Sequence, residues 1–133
     1  MNSKAVLSQT EVGQILTAAR AEAQANQWAV TIVVVDDGGH PLALERLDGC
    51  APGSAYIATE KARTSALGRR ESKSYEDMVN AGRYAFLSAP LLTSLEGGVP
   101  IIVDGQVIGA VGVSGVKAEQ DAQVAKAGAQ CVK

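Results

Sequence analysis

Two segments of the chain share one pattern, in which a β-branched apolar run, an Asp/Gly turn and a second apolar run follow one another. The first segment covers residues 31–48 and turns at residues 36–39, and the second covers residues 97–115 and turns at Asp104 and Gly105. Asp and Gly accept the positive φ angles that tight hairpins require. The pattern therefore predicts two β-hairpins in an antiparallel sheet.

Apolar residues at helical spacing mark the segments around these hairpins. Ser8 and Glu11 form a capping box, with the two side chains able to satisfy each other's backbone amides, so the first helix starts there. The second helix carries a face of small residues and has Ser54 as its candidate N-cap. Four helices are predicted, over about residues 9–26, 55–67, 74–81 and 118–130.

The order of the elements predicts an α+β fold. Strands are expected at about 29–35 and 40–47, and as the two arms of the hairpin at 99–114. Residues 91–95 follow Pro90, which ends any helix, and are a candidate for a short additional strand. Helices are thus expected to flank an antiparallel sheet of about five strands. No linker divides residues 1–133, so we expect a single domain.

Charge and composition narrow the classes of function. The formal net charge is −2, which argues against a general nucleic-acid binder. Residues 61–83 hold six basic and three acidic residues, a balance of +3 that suits either a solvated helix face or a rim attracting carboxylates or phosphates. No basic-then-apolar leader and no run of about 20 apolar residues is present, so we expect a cytoplasmic protein without membrane contact. Cys50 and Cys131 lack the spacing of a zinc or c-type haem motif.

The glycines of the second hairpin have two interpretations. Gly112 and its neighbours lie inside a strand pattern, without the strand–loop–helix context that a phosphate-binding loop requires. They either allow a helix to pack closely on the strand or leave bare backbone facing a ligand. The glycines and serine concerned are Gly97, Gly98, Gly112, Ser114 and Gly115.

His40 is the single histidine and follows the Gly pair of the first turn. It is either an exposed, inert turn residue or a functional group. The second interpretation is considered because imidazole is the side chain that ordinarily titrates near neutral pH. One histidine cannot build a closed metal cage, but it can supply one bond to an iron that a porphyrin already holds.

Arg46 and Lys61 are the two candidate cations of a binding site. Arg46 either pairs with Asp48 or acts as an anion clamp, because its planar fork binds a carboxylate through two hydrogen bonds. Lys61 lies among alanines and either extends to water or is a buried cation that faces a carboxylate ligand. Hydrolase chemistry is improbable, because Ser114 has no histidine downstream to act as its base.

Several runs together resemble one family, the small haem-binding domains named after HbpS, GlcG and the C-terminal domain of PduO. The resemblance extends over roughly residues 8–130. The runs that carry it are Val-Val-Asp-Asp-Gly-Gly-His-Pro-Leu-Ala at 34–43, Glu-Arg-Leu-Asp-Gly-Cys at 45–50, residues 54–65, Gly97–Pro100, Asp104-Gly105, Gly109–Gly115, and Asp121 with residues 125–128.

The resemblance implies an α/β/α layered domain that associates with itself into dimers or larger rings. It also implies haem binding in some members, and a place beside catabolic pathways without a settled activity in others. Because haem ligands vary within the family, His40 is a candidate iron ligand on chemical grounds only.

Three functional hypotheses follow. In the first, the protein is a binding protein for haem or a related tetrapyrrole, accessory to a catabolic pathway. Its cleft lies between the Gly-rich hairpin ends and the second helix, at a subunit interface. Arg46 and Lys61 neutralise propionates, His40 offers an iron bond, and the glycine backbones donate amides.

In the second hypothesis, the chain is a small isomerase or lyase acting on a carboxylate metabolite, with Lys61 or His40 moving protons. In the third, it is an accessory or assembly protein without a small-molecule site.

Overall fold

The computed structural model of the chain describes all 133 residues, as an α+β fold with a four-stranded antiparallel sheet. The α+β class predicted from the sequence is confirmed. The elements are α1 (Gln9–Ala25), β1 (Thr31–Asp36), β2 (Pro41–Arg46), α2 (Gly53–Gly68), α3 (Lys73–Asn80), a 3₁₀ turn (Tyr84–Ser88), β3 (Gly98–Val103), β4 (Gln106–Ser114) and α4 (Ala118–Ala129).

The two predicted hairpins lie side by side in one sheet. The strand order is β2-β1-β4-β3, with β1 antiparallel to both β2 and β4. At the start of β1, Thr31 lies opposite Arg46 on one side and Ser114 on the other. Both turns have the positive φ angles that the sequence predicts: Gly39 has φ 81°, and Asp104 and Gly105 have φ 52° and 75°.

The additional strand predicted at 91–95 is absent, so the sheet has four strands rather than five. Pro90 has no amide hydrogen to donate, and Leu91 adopts φ 60°, which is incompatible with a strand. Further along the segment, the amide of Thr93 donates to Oγ1 of Thr64 at 2.7 Å. The segment is therefore hydrogen-bonded to α2 and not to a neighbouring strand.

Helix α2 packs on one face of the sheet through alanines. Ala58, Ala62 and Ala66 are fully buried and form one cluster with Val33, Val35 and Ala110. Side chains this small bring the helix close to the sheet. A Cβ atom placed on Gly112 would lie 2.1 Å from the carbonyl oxygen of Ala58, so the approach depends on glycine at that position.

Helices α1 and α4 pack against the larger apolar cluster, which takes its strand residues from the positions that alternate with those under α2. Ile15 and Ala19 of α1 and Val124 of α4 contribute to it, together with Ile32 and Val34 of β1. The capping box at the start of α1 is present, with the Ser8 amide donating to Oε2 of Glu11 at 3.1 Å. None of the helices combines the length and apolarity that crossing a bilayer demands.

Helix α1 is tied to the edge strand β2 by an ion pair. The Arg20 guanidinium donates twice to the Glu45 carboxylate, and its Nη2 atom lies 2.7 Å from Oε2. The hydrogen bond from Arg20, with burial opposing it, lowers the pKa of Glu45.

This pair predicts a specific dependence of stability on pH. Because the pKa of Glu45 is lower in the folded state, the stabilisation is complete above its ordinary value and disappears as the pH falls through the lowered value. About a third of each side chain is exposed, so we expect Glu45→Gln to cost about 0.5–1 kcal/mol near pH 7. Urea unfolding at pH 7 and pH 3 checks this, and a difference from wild type that stays equal at both values would contradict it.

Candidate functional site

His40 lies at the exposed end of the β1–β2 hairpin. The Asp36 carboxylate accepts the backbone N–H groups of Gly38 at 2.9 Å and His40 at 3.0 Å, which fixes the turn. The His40 side chain is exposed, and its imidazole forms no hydrogen bond or ion pair within the chain. The ring lies beside Gly38, and neither ring nitrogen is engaged by another group of the chain.

Three cations surround this turn. The side chain of Arg63 packs over Gly39, where a Cβ atom would lie 2.9 Å from its Cγ. Arg69 donates from Nη1 to the backbone oxygen of Asp37 at 2.6 Å, and Lys4 binds the carboxylate of Asp37 at 2.6 Å. The hydrogen bond from Lys4 is the main cause of the lowered pKa of Asp37, and the charge of Arg69 adds to it.

Neither Arg63 nor Arg69 stands out as a site residue in the sequence. The signal that points to them is the positive balance of residues 61–83, which includes both. Only the packing of α2 beside the hairpin brings them to the turn residues Asp37 and Gly39, which precede His40.

The edge strand β2 presents apolar side chains next to His40. Leu42 is 43% exposed and Leu44 is 50% exposed. Leu44 lies opposite Val33, so it is on the sheet face that α2 covers, beyond the edge of the helix. The hairpin therefore combines a free imidazole, exposed leucines and neighbouring cations, and we call this set the hairpin surface.

Lys61, in contrast, is buried in an ion pair. Its side chain is 5% exposed, and Nζ donates to the carbonyl oxygen of Val113 at 3.0 Å and to Oδ2 of Asp121 at 3.0 Å. The second oxygen of Asp121 accepts the Val116 N–H group at 3.1 Å. Burial raises the pKa of Asp121, although the Lys61 ammonium and the Val116 amide oppose that rise. One interpretation of the sequence was a buried Lys61 that faces the carboxylate of a ligand. In the structure Lys61 is buried, and the carboxylate that it faces is the side chain of Asp121.

The glycine positions that were candidates for a ligand-binding backbone are packed against the chain itself. A Cβ atom on Gly98 would lie 2.2 Å from the carbonyl oxygen of Lys61, and one on Gly97 would lie 2.8 Å from Lys61 Nζ. A Cβ atom on Gly115 would lie 2.6 Å from the oxygen of Ala29. Together with Gly112 under α2, these glycines adjoin helix and loop instead of open space.

Ser114 and Arg46 adjoin a buried polar network at the start of β1. Ser114 is 7% exposed, and its carbonyl oxygen accepts a long 3.8 Å contact from Cys50. The Thr31 and Cys50 side chains each lie 2.8 Å from the Ser54 hydroxyl, and Thr31 is the residue opposite Arg46. This network lies at the start of β1, the strand that separates β2, which carries Arg46, from the end of β4 near Lys61.

Arg46 itself is exposed and forms no ion pair, so the alternative in which it pairs with Asp48 is not realised. It lines an open depression of about 580 Å³ together with Trp28, Asp48 and the Arg20–Glu45 pair. The structure therefore does not bring Arg46, Lys61 and His40 into one cleft, as the sequence-based hypothesis required. His40 follows the end of β1, whereas Lys61 and Arg46 lie near its start.

Comparisons with known proteins agree with the resemblance in the sequence. Residues 7–130 match the family described as haem degrading protein, HbpS-like. Protein GlcG of Escherichia coli K12 is 66% identical over 114 residues, covering 86% of this chain and 85% of GlcG.

Two solved structures have the same fold over almost their full lengths. Protein ORFY of Klebsiella pneumoniae is 31% identical with a TM-score of 0.88, covering 98% of this chain and 95% of that one. A PduOC–haem complex is 26% identical with a TM-score of 0.86, covering 97% of this chain and 96% of that one. The family match over nearly the whole chain and the identity to GlcG confirm the resemblance, and the chain belongs to the HbpS-like family.

Proposed function

We propose that this protein binds haem or a related tetrapyrrole at the hairpin surface, with His40 as the iron ligand. The observation that carries the proposal is the exposed imidazole of His40, which has no partner within the chain and stands beside Arg63. The similarity to a PduOC–haem complex and the description of the family support haem as the ligand.

The chemistry of the hairpin surface fits a porphyrin in three respects. A neutral imidazole is a common axial ligand to haem iron. The exposed leucines Leu42 and Leu44 offer apolar contact to a flat ring. Two arginines adjoin the turn: Arg69 donates from Nη1 to the Asp37 backbone oxygen, and Arg63, whose guanidinium pairs with Glu60 at 2.6 Å, packs its stem over Gly39. Their guanidinium groups are the ones assigned to the carboxylates of a porphyrin. Bound haem would supply the redox and ligand-binding chemistry of its iron.

The cations assigned to the propionates differ from those predicted in the sequence. Arg46 is six residues from His40 along β2, which has a bulge at Leu42, so at about 3.3 Å per residue their Cα atoms are roughly 15–20 Å apart. A porphyrin centred on His40 does not extend that far. Lys61 is buried against Asp121, so Arg63 and Arg69 replace both residues in the proposal.

Haem titration of the purified protein tests the proposal. We expect a Soret band that saturates at one haem per chain, and we expect His40→Ala to shift the band and weaken binding about tenfold or more, since the variant loses the iron bond. Arg63→Gln should weaken binding while leaving the band position unchanged, because it removes a carboxylate partner and not an iron ligand. A band that decays on adding a reductant in the presence of O₂, and that persists when O₂ is excluded, would indicate degradation of the bound haem.

Tyr56→Phe is the matched control, because Tyr56 is 80% exposed and can also ligate iron. A band that responds to Tyr56→Phe and not to His40→Ala would refute His40 as the ligand. Absence of any band would refute haem binding. If a small carboxylate then raised the melting temperature, and Arg46→Gln abolished the rise, the depression around Arg46 would be the binding site of a metabolite.

A further inference from the structure

The depression around Arg46 holds two charged side chains of opposite sign, and neither has a partner within the chain. The guanidinium group of Arg46 and the carboxylate of Asp48 both line it, both are exposed, and neither forms an ion pair. Its volume of about 580 Å³ is in the range of small-molecule sites in proteins. Of the two interpretations of Arg46 in the sequence, the anion clamp is the one that the structure leaves.

The charges that line the depression sum to zero. Arg20 and Glu45 bind each other through two hydrogen bonds, so their charges are satisfied internally. One cation and one anion, Arg46 and Asp48, are left for a ligand. A plain carboxylate or a phosphate would be attracted by Arg46 and repelled by Asp48, whereas a ligand that carries both charges satisfies both side chains.

The apolar part of the lining is centred on the indole of Trp28. Trp28 is half-buried and packs against the larger apolar cluster, as does Leu47 beside it in the depression. An indole held in this way offers a large flat surface to an aromatic ring. The lining therefore suits a ligand that joins a positive group, a negative group and an aromatic ring.

The end of α1 contributes a polar side chain at a cost in backbone conformation. The amides of Gln27 and Trp28 donate to the carbonyl oxygens of Gln24 and Ala23, at 3.1 and 2.9 Å, so α1 ends in a Schellman motif. Gln27 has φ 60°, where glycine is the favoured residue, and its side chain lines the depression. Glutamine thus supplies an amide that glycine lacks, and the negative end of the helix dipole adds attraction for a positive group.

Asp48 is fixed by a tight turn directly after β2. The Leu47 amide donates to the oxygen of Val30 at 2.9 Å, and the Cys50 amide donates to the oxygen of Leu47 at 3.2 Å. Gly49 has φ 88° between them, as such a turn requires. Arg46 and Asp48 are therefore presented by one ordered segment, with both charges available before a ligand arrives.

We propose that this depression binds a free α-amino acid with an aromatic side chain. Arg46 donates to its carboxylate, Asp48 accepts from its ammonium group, and its ring packs on Trp28. The site is separate from the hairpin surface, because Arg46 and His40 are roughly 15–20 Å apart along β2. The proposal is therefore independent of haem binding.

Trp28 is the single tryptophan of the chain, so its fluorescence reports on the depression directly. L-phenylalanine is the probe, because its ring does not absorb at the red edge of tryptophan excitation. We expect a saturable change in Trp28 fluorescence, and calorimetry should give one site per chain. Hydrocinnamate, which lacks the ammonium group, and phenethylamine, which lacks the carboxylate, should each bind about tenfold or more weakly, since each loses a charge-assisted contact. No binding of L-phenylalanine by either method, or equal affinity for hydrocinnamate, would overturn the proposal.

Two variants separate the two charges. Arg46→Gln should weaken L-phenylalanine about tenfold or more and leave phenethylamine unchanged, and Asp48→Asn should weaken L-phenylalanine without weakening hydrocinnamate. Arg83→Gln is the matched control, because Arg83 is an exposed arginine without an ion pair outside the depression.

His40→Ala should leave L-phenylalanine binding unchanged, which keeps this test apart from the one for haem. Circular dichroism checks that each variant is folded. An equal loss in Arg83→Gln, or an equal loss of all three ligands in Arg46→Gln, would overturn the assignment of Arg46 to the carboxylate.

Discussion

Gly112→Ala is expected to destabilise the protein by about 3 kcal/mol or more, a large part of the total stability of a chain of this size. The added methyl would lie 2.1 Å from the Ala58 carbonyl oxygen and 2.5 Å from the Ala62 amide nitrogen. Both are backbone atoms of α2, so no side-chain rotation can relieve the clash, and the helix must move away from the sheet. Urea unfolding followed by circular dichroism measures the loss.

Gly13→Ala is the matched control for this substitution. Gly13 lies in the exposed interior of α1, and a Cβ atom there meets nothing within 4 Å. Because alanine reduces the entropy of the unfolded chain and favours the helix, we expect a gain of about 0.5–1 kcal/mol. Equal effects at the two positions would contradict the close approach of α2 to β4.

Lys61→Met is expected to cost about 3–5 kcal/mol, because it leaves the Asp121 carboxylate buried without its cation. Both side chains are at most 5% exposed. Asp121→Asn should cost a similar amount for the complementary reason. The double variant should cost less than the sum of the two, since neither charge is then left unpaired, and a double-mutant cycle gives that difference.

The pH dependence of Lys61→Met provides a second measurement. Burial raises the pKa of Asp121, and loss of the ammonium removes the main opposing charge. A carboxyl group with a raised pKa destabilises the fold most at high pH, so the deficit of the variant should shrink as the pH falls through the raised value toward the ordinary pKa of an aspartate. Lys73→Met, at an exposed pair with Asp77, should cost far less than Lys61→Met and should show no such change with pH. A deficit of Lys61→Met that grew on acidification would contradict a buried, unpaired carboxylate.

Local patterns predicted the elements well, because each depends on its own residues. The Asp104-Gly105 turn follows from two residues that tolerate positive φ, and the start of α1 follows from Ser8 and Glu11. The strand at 91–95 was predicted wrongly because its apolar residues suit a strand as well as they suit an irregular segment packed on a helix. In the structure the Thr93 amide is hydrogen-bonded to Thr64 of α2 and not to a neighbouring strand.

The candidate site was predicted only in part, because its residues are brought together by packing. Arg63 and Arg69 contact the turn that precedes His40 only because α2 packs beside the hairpin. The glycines were correctly recognised as positions of close approach, yet the sequence left open whether a helix or a ligand approaches them. The sequence also left the role of Lys61 undecided, because its partner Asp121 is 60 residues away in the chain.

The sequence by itself determined the hairpins, the helices, the α+β class and the family, since turn chemistry, periodicity and ordered motifs are local properties of the chain. Only the tertiary structure decided which charges are buried and which are exposed. Whether a cation faces water, a ligand or an internal carboxylate depends on contacts between residues far apart in sequence. Those contacts buried Lys61 against Asp121, left His40 without a partner, and placed the unpaired Arg46 and Asp48 beside Trp28.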